Sequence, residues 1–185
     1  MNLSELMKDR RSIQLYEDRP VPLDELKQML EAAVWVPNHK MTQPWRFTFV
    51  HGESLKKVAE INRKLGEKGT DPEERKVNGE KAYQKIANVP ALLIVTIKEN
   101  HNPKFREEDY AATSCVIQNF SLLAWEKGIG MIWKTGALTM EDEFREAVGV
   151  NPGERVAGML QIGYPAKVPK PRPRADVQQL ITELD

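Results

Sequence analysis

The stretch from about Asp109 to Lys127, DYAATSCVIQNFSLLAWEK, limits the possible folds more than any other. Its apolar residues Ala111, Ala112, Cys115, Val116, Ile117, Phe120, Leu122 and Leu123 cover nearly the whole circumference of a helix. A surface helix keeps a polar face, whereas a helix apolar all round is packed on every side. In a chain of 185 residues, one of those sides can face a second subunit. That length fits one domain, read here as spanning 1–185, with a real core.

The remaining elements follow from spacing and from breakers. Leu3, Leu6 and Met7 predict a short first helix that ends near DRRS. Pro22 opens a second helix with Leu23, Leu26, Leu30 and Ala33 on one face, and Pro37 stops it. WRFTFV alternates and reads as a strand. ESLKKVAEINRKL is helical through Leu55, Val58, Ile61 and Leu65. Residues 66–81 are charged and carry three glycines, the pattern of a mobile excursion or lid. ALLIVTIK is a buried strand and ENHNPKFREED a loop. GMIWKT and RVAGMLQIGYP supply two more strands, separated by a helix over EDEFREAV that Thr139 is expected to cap. The tail AKVPKPRPR has too many prolines for a helix and is expected to be extended.

Long helices between isolated strands give one sheet covered by helices. GIG precedes its strand instead of following one, so it is no dinucleotide loop. Lys plus Arg equals Asp plus Glu, at 27 each, so net charge offers no argument for a nucleic-acid or membrane partner. Cys115 is the lone cysteine, which suits a reducing cytoplasmic setting. The three histidines are scattered away from any cysteine or carboxylate cluster, so no metal site is expected. Neither GxSxG nor HExxH occurs, and no carboxylate pair stands out. Where binding residues lack catalytic companions, a cofactor can carry the chemistry.

Four stretches are candidates for binding. Arg10, Arg11 and Ser12 offer forked guanidinium donors and a hydroxyl to a phosphate. Basic residues at the end of a helix also complement its dipole, so both readings stay open. PNHKMTQPW places His39 and Gln43 in a proline-stiffened loop that can present hydrogen bonds to a ring edge, or that simply leads into the next strand. Trp133, Lys134 and Thr135 close a strand, a common ligand position, although an edge lysine also deters aggregation. Arg172 and Arg174 lie on the extended tail and can reach an anion; the tail is too short and proline-broken to read as a nucleic-acid patch.

In that order, RRS, PNHKMTQPWRF, GIGMIWKTGALT and IGYPAKVPKPRPR resemble the motifs of the FMN-dependent nitroreductases, in their compact form, over about residues 3–174. The resemblance implies an α+β fold with a mainly antiparallel central sheet flanked by helices. It also implies a homodimer with two identical FMN sites at the interface. Carried over residue by residue, Arg10, Arg11 and Ser12 hold the phosphate and ribityl end. His39 (from the partner subunit) and Gln43 border the flavin, and Trp133, Lys134 and Thr135 line its other edge. Arg172 or Arg174 closes on the phosphate. Where many larger members have Asn two residues before QPW, this chain has Met41, and Trp35 receives no role. LAWEKG at 123–128 lies where relatives contact the nicotinamide dinucleotide. The implied chemistry is ping-pong reduction of a nitroaromatic or quinone by NADH or NADPH. Side chains would orient and tune the flavin, with Lys134 near negative charge on its reduced form. The competing expectations are an FMN storage or sensing protein without fast turnover, and a phosphate- or nucleic-acid-binding module.

Overall fold

A computed structural model describes residues 2–185. Its centre is a four-stranded antiparallel sheet: β1 (Trp45–Val50), β2 (Ala91–Lys98), β3 (Gly130–Lys134) and β4 (Glu154–Gly163), in the order β1-β2-β4-β3. β2 is buried on both faces over all but its last residue, as its unbroken apolar run requires. Leu93, Val95 and Ile97 point to one side, where α2 (Leu23–Ala33) and α5 (Pro103–Glu126) pack with Leu26, Val116, Phe120 and Leu160. Leu92 and Ile94 point to the other side, against Val58, Ile61, Ile86 and Phe144 of α3 (Gly52–Gly66), α4 (Pro72–Ala87) and α6 (Asp142–Ala147). The register slips between Val95 and Thr96, whose partners are Gly158 and Val156, so Ala157 is left over in β4.

The chain's beginning finishes one sheet edge. α1 (Leu3–Asp9) opens with a capping box between Asn2 and Glu5. Residues after it run extended beside β3: Ser12 bridges Met131, and the Ile13 amide donates to the Met131 carbonyl at 3.1 Å. Tyr16 then bridges Pro165, and its hydroxyl reaches the carbonyls of Ile13 and Gln161 at 2.7 and 2.9 Å. Ile13 is fully buried against Gly130, where a Cβ would strike its side chain.

Three sequence expectations change. Residues 66–81 are no lid: Asp71 caps and Pro72 starts α4, which packs closely along α3. The approach depends on small residues, since a Cβ on Gly66 would meet the Ala82 side chain and one on Gly79 would meet Glu67. Arg63 lies over the Tyr83 ring and pairs with Glu60 and Glu80. ENHNPKFREED is mostly helix, because Asn102 caps and Pro103 begins α5. Thr139 does not cap α6: its hydroxyl donates to the Gly136 carbonyl inside a short 3-10 turn, and Glu141 precedes the helix.

α5 is buried on one side only within this chain. Ala112, Val116, Ile117, Phe120 and Ala124 face the sheet, while Tyr110, Ala111, Cys115 and Gln118 form an exposed stripe. The tail from Lys167 onward is extended and exposed, apart from a 3-10 turn at Val177–Leu180. Among the described residues, no helix is long and apolar enough to cross a membrane.

Candidate active site

Arg10 sits at the C-terminal cap of α1 with a half-buried guanidinium. Burial first, then Arg11 and then Arg174, holds its pKa below the usual guanidinium range. All three influences disfavour its charge, and no carboxylate is among its partners to offset them. The two tail candidates thereby separate. Both are exposed, but Arg174 is close enough to act on Arg10, while the Arg172 carbonyl accepts from Arg174 Nη1 at 3.3 Å. Arg11 is turned the other way. Its Nη1 lies 2.6, 3.0 and 2.9 Å from the carbonyls of Lys8, Asp9 and Arg10, the orphan acceptors at the end of α1. In this structure Arg11 caps the helix and lends its charge to Arg10.

Beyond Ser12 the extended chain carries Gln14 into a wide, open cavity of about 1010 Å³. Residues 14–20 form one wall, and Glu80, Lys81, Gln84 and Lys85 of α4 belong to the other. Lys85 also borders a smaller cavity of about 240 Å³, lined by Asn62, Lys134, Gly136, Thr139 and Gln161. The two cavities meet at Lys85, so a cleft runs from residues 14–20 to the end of β3, and none of Arg10, Arg11, Ser12 and Arg174 is in its lining. Its lining holds three ammonium groups, Lys81, Lys85 and Lys134, with Arg19, the carboxylates of Glu17, Asp18 and Glu80, and the amides of Gln14, Gln84 and Asn62.

Trp133 and Lys134 lie on opposite faces of β3, as strand alternation demands. Lys134 lines the cleft with Met159 and Gln161. The Trp133 indole crosses β4 instead: its Nε1 donates to the Ala157 carbonyl at 3.0 Å, and it covers Gly158 so closely that no Cβ would fit there. The bulge at Ala157 frees the carbonyl that the indole takes. Thr135 follows the strand and is exposed.

His39 and Gln43 do not meet this cleft within one chain. Their loop leads into β1, while Ser12 lies beside β3, at the opposite edge of the sheet. Three strand spacings separate those edges, roughly 14 Å. The loop instead lies on α5: His39 stacks on Phe105 with centroids 5.6 Å apart, and Lys40 sits over the same ring. Glu108 Oε2 is buried without a hydrogen-bond partner, and His39 Nε2 lies 3.9 Å from it, beyond hydrogen-bond range.

Of residues 123–128, Trp125, Glu126 and Gly128 border a further cavity of about 480 Å³, lined also by Tyr164 and Val168, which shares Glu17 and Arg19 with the cavity of about 1010 Å³. Its lining also includes Asp9, Glu17 and Glu126 against a single Arg19, and Trp125 Nε1 donates to Asp9 Oδ2 at 2.8 Å. Among the described residues, no cluster of three His, Cys, Asp or Glu could hold a metal ion.

Sequence reasoning did not find Gln14, Lys81, Gln84 and Lys85. Lys81, Gln84 and Lys85 share a face at i, i+3 and i+4, a signal readable only once that stretch is seen as a helix.

The fold is a helix-covered antiparallel sheet with a cleft of mixed charge at one edge, and with Arg10, Arg11 and Arg174 near one another at the end of α1. The chain belongs to the nitroreductase family, whose pattern matches residues 7–164. YfhC of Bacillus subtilis, named for NAD(P)H nitroreductase activity, is 37% identical over 182 residues, covering 98% of this chain and 94% of YfhC. A nitroreductase-like family protein from Bacillus cereus superposes with a TM-score of 0.87 at 35% identity, covering 100% of this chain and 97% of that one. The FMN and NADPH-dependent nitroreductase NfnB from a Sphigopyxis strain has the same fold, with a TM-score of 0.80 at 20% identity over 100% of both chains.

Proposed function

We propose that this protein is an FMN-dependent oxidoreductase that takes electrons from NADH or NADPH and reduces electron-poor acceptors such as nitroaromatics or quinones. The observation that carries the reading is Arg10: half-buried, crowded by Arg11 and Arg174, and facing no carboxylate. A phosphate is the partner that this cluster lacks, and the donors around it fit one. The names of YfhC and NfnB, one for NAD(P)H and the other for FMN with NADPH, point the same way.

When bound, the flavin supplies hydride acceptance from the nicotinamide and, in a separate half-reaction, reduction of the second substrate. The chain's own residues bind and orient. Arg10 forks onto the phosphate, and Arg174, on the extended tail, closes over it. Ser12, short of the cleft, gives a hydroxyl contact, and Gln14, on the same side of the extended chain, gives an amide contact along it. Lys85 and Lys134 place positive charge at its inner end, where negative charge on a reduced ring would be stabilised. Neither lysine transfers a proton in this reading.

The functional unit is a homodimer with two such sites. His39 and Gln43, remote from their own chain's cleft, border the flavin of the second copy. The exposed stripe of α5, made of the small residues Ala111 and Cys115 beside Tyr110 and Gln118, supplies a surface for close approach.

The visible spectrum of freshly purified protein tests this directly. We expect a yellow protein that releases FMN on denaturation and oxidises NADH or NADPH with a quinone present. A colourless protein that FMN cannot reconstitute would overturn the reading. Bound FMN with negligible turnover would leave a storage or sensing protein.

A further inference from the structure

The loop of residues 38–43 is strained, and one buried side chain on α5 explains how it persists. Lys40, Met41 and Gln43 all have positive φ, at 51°, 53° and 42°. None is a glycine, and such backbone survives only where its surroundings enforce it. A continuous hydrogen-bond chain does so here. Asp109, 3% exposed, accepts from the Thr42 hydroxyl at 2.5 Å. Thr42 Oγ1 in turn accepts from Asn38 Nδ2 at 3.1 Å, and Asn38 Oδ1 accepts from the Gln43 amide at 2.7 Å.

The polarity of this chain is fixed from its buried end. A carboxylate only accepts, so the Thr42 hydroxyl must donate to it. That hydroxyl then has only lone pairs to offer, so Asn38 must turn its NH₂ toward Thr42. Its carbonyl oxygen is thereby left facing the Gln43 amide and holds that residue in its left-handed conformation. Water at the loop surface imposes no such direction. Burying a carboxylate is costly, and a hydroxyl donor is a modest return unless the contact has another use.

We propose that Asp109 is a positioning residue. Acting through Thr42 and Asn38, it locks the 38–43 loop in the strained shape that presents His39 and Gln43 to the flavin of the second copy. This rests on the shared-site reading above. Asp109 touches neither cofactor nor substrate in this scheme.

The experiment compares Thr42→Val, Thr42→Ser and Asn38→Ala with the parent on two readouts. The first is the rate of trypsin cleavage after Lys40, followed by mass spectrometry on the purified protein, which does not depend on flavin. The second is FMN affinity by fluorescence titration. Thr42→Val keeps the shape and deletes the hydroxyl, so cleavage should quicken at least tenfold and FMN affinity should fall about tenfold, equivalent to about 1.4 kcal/mol. Thr42→Ser should restore both, because it returns the donor. Asn38→Ala leaves Asp109 its donor while cutting the outer link, and should behave like Thr42→Val; it decides the matter if Thr42→Val fails to fold. Unchanged cleavage in the valine and alanine variants would overturn the lock. Faster cleavage with parental FMN affinity would overturn its link to the site. A parent that binds no FMN would sink the shared-site reading instead, with the cleavage arm still deciding whether the lock exists.

Discussion

Arg174 sits close enough to Arg10 to help depress its pKa, although the two come from opposite ends of the chain. On the proposed reading, the FMN phosphate supplies the opposite charge that this pair lacks. Arg10→Ala should lower FMN affinity by roughly ten- to a hundredfold, from the loss of a charge-assisted contact worth about 1.5–3 kcal/mol. Arg10→Lys should recover part of the loss, since the charge returns without the fork. Excess FMN should restore activity to both. Fluorescence titration measures the affinities, and thermal unfolding of each variant shows whether the fold is intact.

Trp133 should respond to its neighbour Gly158. A methyl group there strikes the indole, which must swing off the Ala157 carbonyl. Gly158→Ala should cost about 1–3 kcal/mol of stability and red-shift the tryptophan emission. Denaturant melts and emission spectra check both. A stable variant with parental emission would mean that the indole has room to spare.

Tyr16 supplies a pH test. Burial raises its phenol pKa above the ordinary value near 10, because the phenolate would be desolvated and could no longer donate to the Ile13 and Gln161 carbonyls. A raised folded pKa means that this contribution is complete below the unfolded value and fades as pH climbs above it. Tyr16→Phe should therefore be about 1–2 kcal/mol less stable than the parent at pH 8. That gap should narrow by about 1.4 kcal/mol for each unit above pH 10. Chemical denaturation of both proteins at pH 8 and 11 reads it out, and a gap that widened would show the sign to be wrong.

Light scattering on the parent should give the dimer mass at micromolar concentration. Ala111→Arg and Cys115→Arg, which put a long cation on the exposed stripe of α5, should give monomers that have lost affinity for FMN. Dimers that persist in both would move the interface elsewhere.

How much of this could be read in advance depended on whether the signal was local. The strands and the extended tail were legible because runs, alternation and proline spacing report them directly. α4 was not, because its core-facing residues are sparse and it packs through Gly66, Gly79 and Ala82 instead of an apolar stripe. Its start was nevertheless written in Asp71-Pro72, as that of α5 was in Asn102-Pro103. Missing α4 meant missing Lys81, Gln84 and Lys85, which reach the cleft only by packing. Arg11 shows what position alone does not tell: its guanidinium donates to the free carbonyls at the end of α1. That His39 and Arg10 stand at opposite edges of the sheet follows from strand order, which no short motif encodes.

The segment beside β3 has a consequence for the timing of folding. Residues 12–17 are translated early, yet their partners are Met131, Tyr164 and Pro165, which lie far downstream in the chain. Local helices can form while the chain is growing, but this edge cannot close until the loop between its two sides has been threaded, a slow step in any topology with distant contacts. Arg10 meets Arg174 later still. The contact between Arg10 and Arg174 thus depends on chain that follows all four strands, and it is the last of these long-range pairings to become possible.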